Sequence, residues 1–174
     1  MANYFSWKSH TAQSLLFLFL IVPSFGVTAI AETNSDDQRF IDHGNHTITD
    51  SKTGLMWLKE DSYITTGHWL NWFEAFKYID ALNEEAFAGH IDWRLPTLKE
   101  LKSLYEKDKI NSKQVGHEMV IHIDPIFGRE GGGAQWSSEG NGNFNAFGVV
   151  FNTGDRFSAP KKSRSRKTVR AVRN

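Results

Sequence analysis

Several residue groups in this chain have types and spacings that could support chemistry, and each can be weighed on geometry. His117-Glu118-Met119-Val120-Ile121-His122 is the nearest approach to a zinc-hydrolase motif. Two imidazoles share a helix face at positions i and i+4, whereas these stand five apart, and on a strand that spacing sends them to opposite faces. His43, His46, His68 and His90 fall near expected turns, where a solvated histidine is the plainer explanation. No metal site and no cofactor is therefore expected. Ser137 and Ser138 follow Trp136 without a G-x-S-x-G elbow, so a serine nucleophile has no positional support. Gly128-Arg129-Glu130-Gly131-Gly132-Gly133 lacks the Lys-Ser/Thr ending of a phosphate loop, and Glu130 would repel a phosphate. With Gly140-Asn141-Gly142-Asn143 it reads as mobile loop, the kind of segment that carries binding function.

The strongest bias toward a ligand lies near the C-terminus. Lys161, Lys162, Arg164, Arg166, Lys167, Arg170 and Arg173 bring seven positive charges and no acid. Such a cluster attracts polyanions and speeds encounter at low salt. The competing explanation is a solvated turn, with Arg170 and Arg173 paired to acids of the body. The candidate ligand-binding residues are these cations of the turn, Lys161, Lys162, Arg164, Arg166 and Lys167, together with Glu139, Asn141 and Asn143.

The elements that must position these residues follow from patterning. The chain has 174 residues, zero formal net charge and no cysteine. Absence of cysteine excludes disulfides, thiolate metal sites and cysteine nucleophiles. Leu15 to Val22 is an apolar run, and Ala29-Ile30-Ala31 matches a small-x-small cleavage pattern, so 1–31 is expected to be a signal peptide. An uncleaved anchor is the alternative, and only that would imply a membrane. Residues 32–38 are expected to be a flexible polar leader and 39–174 one domain. Between 32 and 160, twelve basic residues face twenty acidic ones, a net of −8 against +7 in 161–174.

Thr47-Ile48-Thr49 and Leu55-Met56-Trp57-Leu58 flank the turn cluster Asp50 to Gly54, a pair of short strands. Asn71 to Ala86 carries Trp72, Phe76, Ile79 and Leu82 at helical spacing, with Asn71 as N-cap. Pro96 forces Leu95 into extended backbone, and Thr97-Leu98-Lys99-Glu100 is a capping box that opens a second helix. Its apolar face is Leu98, Leu101, Leu104 and Tyr105. Residues 107–133 read as irregular. Gln135 to Ser138, Ala146 to Asn152 and Arg156 to Ser158 read as strands, and the alternation in Thr168 to Arg173 suits a strand buried on one face. Helices come early and strands late, so the fold class is α+β. Trp57, Trp93 and Trp136 are expected in the core.

Four stretches together carry a family resemblance: RFIDHGNHTITDSKTGLMW at 39–57, DWRLPTLKEL at 92–101, Trp136-Ser137-Ser138, and the ending Val169-Arg170-Ala171-Val172-Arg173. In this order they resemble the bacterial Lcl C-terminal domain family, a domain of unknown function named for a collagen-like adhesin. The resemblance implies a C-type-lectin-like fold, with two helices packed on small antiparallel sheets and long loops over one face. It implies export to the periplasm, cell surface or medium. It also implies a non-catalytic binding role toward a surface glycan, a polyanion or an envelope protein; nucleic acid is not expected. The adhesin's sulfated-glycan ligand transfers poorly from one member to another. Many relatives carry a cysteine pair where this chain has Ile79 and Ala171. The related formylglycine-generating enzymes depend on cysteine, which is absent here. The Glu-Pro-Asn and Gln-Pro-Asp loops of calcium-dependent lectins are also missing. Arg94 is expected to hold a carboxylate, Asp92 or Glu100. A structural part in an envelope complex is the alternative function, and a hydrolase the remote one.

Overall fold

The computed structural model describes residues 31–174; the expected signal segment lies outside them except for Ala31. Three α-helices and eleven short strands form a mixed α and β fold. One sheet contains β1 (Thr33–Asn34), β2 (Phe40–Asp42), β3 (Thr47–Asp50), β4 (Met56–Leu58) and β11 (Val172–Arg173), all antiparallel and adjacent in that order. A second contains β7 (Ala134–Asn141), β8 (Asn145–Val150), β9 (Asp155–Pro160) and β10 (Lys167–Thr168), in the order β10-β7-β8-β9. Its β10–β7 pair is parallel, so the sheets are not all antiparallel as expected. A third is the two-stranded pair β5 (Ser112–Lys113) and β6 (Val120–Ile121), which gives the stretch read as irregular a small ladder of its own.

The expectation of two helices is also corrected. α2 (Trp72–Glu84) and α3 (Leu98–Ser103) lie where the patterning puts them, and both start with the reciprocal capping box. α1 (Ser62–Thr66) has only five residues, too few to show a period. Asp61 caps its start by accepting from Tyr63 N and Ile64 N, and Gly67 ends it in the left-handed region.

The core has two buried clusters. One gathers Phe40, Ile48, Trp57, Leu101, Leu104, Ile121, Ile123, Phe127, Val149, Phe151 and Val172 between the first sheet, α3 and β8. The other gathers Leu58, Ala75, Ile79, Leu82, Trp93, Leu95, Trp136, Ala146, Val169 and Ala171 under α2. Trp57, Trp93 and Trp136 are thus core residues. Ile79 and Ala171 occupy the same cluster, so packing takes the place of any covalent link there.

Two further expectations change. The run Gly131-Gly132-Gly133 is buried, not a mobile loop. Gly132 N donates to Asp61 (2.7 Å) and Gly133 N to Gln114 (3.0 Å); a Cβ at Gly131 would collide with the Asp61 carboxylate. The C-terminal segment is not one strand with a solvent face. It leaves the second sheet after Thr168 and joins the first at Val172, and Thr168 to Val172 are all buried. Val169 is held by Ser62 and Ala171 by Leu58, while Val172 exchanges backbone hydrogen bonds with Arg94. A segment gripped from both sides has no outward face.

Candidate functional site

Local sequence places the groove. The Asn71–Glu74 capping box starts α2, so the Glu74 carboxylate sits at the head of the helix, accepting from Asn71 N at 2.9 Å. The connection before it, residues 67–70, is fixed by Trp69, whose ring lies 4.2 Å from that of Tyr63, and by Leu70, whose carbonyl accepts from the Trp136 indole at 2.9 Å. The basic segment runs alongside. Leu70 N donates to Lys167 O and Trp72 N to Lys161 O, both at 2.9 Å. The loop 161–167 is therefore tied at its two ends, and its middle projects from a fixed frame.

Between these pieces lies an open groove of about 520 Å³ lined by His68, Trp69, Leu70, Glu74 and Arg164. Arg164 spans it, donating through Nε to Glu74 at 2.9 Å with a second, very short contact through Nη2. That guanidinium holds the Glu74 carboxyl below its ordinary range. The groove thus offers an aromatic face, an imidazole and a guanidinium.

The structure sorts the expected site residues. Lys162, Arg164 and Arg166 are exposed. Lys161 is half-buried: its ammonium lies 4.7 Å from the centre of the Trp72 ring and donates to Gly142 O at 3.1 Å. Lys167 is turned inward over Trp136 and Phe157, donating to Ser163 and Ser165; burial lowers its pKa. Glu139 is on neither side of the groove. Both its carboxylate oxygens accept from Leu98 N, at 3.0 and 2.9 Å, so it caps α3. Asn141 ends β7 and bonds Ser158, and Asn143 stands in the tight turn 142–144. Gly140 and Asn141, expected in a mobile loop, belong to β7, whose ladder with β8 shifts register between Trp136 and Gly140. Patterning did not single out Trp69 or His68, because they lie between elements and only the fold brings Arg164 to them.

Other chemistry-bearing groups are already engaged. His117 Nδ1 accepts from Met119 N, while His122 Nδ1 meets Lys109 O, so the two rings have separate partners. Asp37, Glu106 and Asp124 bring three carboxylates within 4.8 Å of one another, a cluster that spacing did not reveal. Lys109 bonds both aspartates, at 3.3 and 3.0 Å, and Arg39 bonds Glu106 at 3.0 Å, so two protein cations offset part of its charge. Ser137 is fully buried; its hydroxyl donates to Phe147 O, and no histidine is among its hydrogen-bond partners.

The model of a family described as the Lcl C-terminal domain matches residues 46–173. That span begins inside the first resembling stretch and covers both clusters except Phe40, α1 to α3 and the basic segment, leaving β1 and β2 outside. No curated protein matches the chain.

Proposed function

Because this chain belongs to the Lcl C-terminal domain family, we propose that it is an exported, non-catalytic binding module with a C-type-lectin-like fold, and that it recognises an anionic carbohydrate polymer at the groove beside residues 161–167. The observation that carries this reading is the pinning of the basic segment against the head of α2. It sets Arg164 and Trp69 in one groove and leaves Lys162 and Arg166 exposed next to it. The Arg164 guanidinium is matched by Glu74, so the exposed Lys162 and Arg166 supply the charge for sulfate or carboxylate groups, and a flat aromatic face suits a sugar ring. The N- and C-terminal strands share one sheet, in keeping with the lectin-like layout.

The net charge of the whole chain is zero, so retention on a polyanion would report a local patch and not bulk charge. The test is chromatography of residues 32–174, which contain both clusters and every sheet described, on immobilised heparin. Retention beyond about 0.15 M salt, where the screening length is about 8 Å, is expected. W69A and the pair K162E/R166E should each elute earlier. Elution at near-zero salt would overturn the reading.

A further inference from the structure

The end of the molecule next to the groove presents a different chemistry. Among the described residues, five large apolar side chains are exposed: Phe73, Phe76, Ile91, Ile110 and Phe144. Three of them gather here. Phe144 stands in the β7–β8 turn and is 82% exposed. Phe73, 47% exposed, is in the first turn of α2, and lines with Phe144 a small cleft of about 190 Å³ shared with Asn143, Pro160, Lys161 and Lys162. Phe76 is 38% exposed and reaches the same end through Trp72, whose ring is 4.7 Å from it and 5.7 Å from Phe73. Ala75, Ile79 and Leu82 already face the core, so this aromatic sector of α2 exceeds what packing requires.

Nothing in the turn's backbone calls for phenylalanine. Gly142 takes the left-handed position, and the neighbouring tip residues are the asparagines usual in turns. Exposed apolar side chains gathered at one end mark an interaction surface, where a lone exposed ring would not. The charges around it have one sign. Lys162 is exposed beside Phe144, Lys161 bonds the tip carbonyl Gly142 O, and Lys77 lies one turn beyond Phe73 on the same helix face. Glu74, the acid of that first turn, is neutralised by Arg164; the next acid on the helix, Asp80, is roughly two turns from Phe73.

We propose that this end of the molecule docks on an anionic lipid bilayer, inserting Phe144 and Phe73 among the acyl chains while Lys162, Lys161 and Lys77 sit among the headgroups. The exposed rings favour lipid over a glycan. Protruding phenyl rings carry no hydrogen-bonding group to read a sugar, whereas apolar prongs within a basic rim match an anionic interface. No described helix is long and apolar enough to cross a membrane, so the attachment is peripheral. It is reversible and salt-sensitive, since a few rings and cations supply it.

The test is sedimentation of residues 32–174 with vesicles of phosphatidylcholine, with or without about 30% phosphatidylglycerol. Binding to the anionic vesicles alone is expected. F144S and F73S should each weaken it by about tenfold, in line with withdrawal of one large apolar side chain, and K77E/K162E should do the same. Because the chain has no cysteine, N143C can carry a single environment-sensitive dye. Its emission should shift to the blue on anionic vesicles and stay unchanged on heparin. W69A should lose heparin and keep the vesicles, which separates this proposal from the groove reading. Equal vesicle binding by wild type and F144S, no binding by either, or an F144S defect confined to heparin would overturn it.

Discussion

Glu100 shows how much one carboxylate can organise. It accepts from Thr97 N at 2.7 Å, closing the capping box of α3, and takes both guanidinium nitrogens of Arg94 at 2.9 and 2.8 Å. These bonds, Arg94 first, bring its pKa from the ordinary 4.5 to about 2. A depressed carboxylate pKa adds stability that is complete above the unfolded value and fades as pH falls through the folded one. The stability difference between wild type and E100Q should therefore be full above about pH 4.5 and vanish near pH 2, as followed by thermal unfolding across that range. Arg94 was expected to hold either Asp92 or Glu100; it holds Glu100, while Asp92 pairs with Arg173 at 2.6 Å. Residue type and proximity in sequence reveal the first pair. The second joins mid-chain Asp92 to Arg173 near the C-terminus and needs the fold. Arg170 is the opposite case, a cation from an expected surface patch that is buried, donating to Leu58 O and Lys59 O over the Phe127 ring. Burial lowers its pKa and raises that of the nearby buried Asp61. R170M should cost about 3–5 kcal/mol in urea unfolding, since it strands the Asp61 charge and two carbonyls. D61N should also destabilise, because asparagine can still cap α1 but sets an N–H against Gly132 N and leaves the buried Arg170 charge uncompensated.

At the scale of elements, helices announce themselves locally and their partners do not. The Asn71 N-cap and the Thr97–Glu100 box lie within four-residue patterns, legible because capping is a short-range hydrogen-bond requirement. The second cap of α3 comes from Glu139 on β7, and no local rule could connect it to Leu98. E139A should destabilise by about 1 kcal/mol, and E139Q by less, measured by denaturant midpoint. The same blindness made 140–143 look like a loop. Gly140 and Asn141 have weak strand propensity, yet they pair with Ala146 and Asn145 because the β7–β8 ladder continues past its register shift.

For the molecule as a whole, the split of charge is real but smaller at the surface than the residue count implies. Arg170 is buried and Arg173 paired, so the solvent-facing cations come from residues 161–167. The absence of cysteine also has a structural counterpart, since Ile79 and Ala171 share one buried cluster. I79C/A171C should form a disulfide on oxidation, detectable by mass, and raise stability by about 2–4 kcal/mol by closing a loop of about 90 residues.

The amino-acid sequence by itself determined the family, the two principal helices with their caps, the aromatic core and the existence of a basic segment. Each depends on residue type at short spacing, where periodicity, capping and burial preference act. Only the tertiary structure decided which cations face solvent, that Trp69 and Arg164 share a groove, and that Phe73 and Phe144 meet at one end. Those outcomes depend on contacts between residues far apart in the chain, and burial and pairing are properties of where the backbone goes, which no single segment specifies.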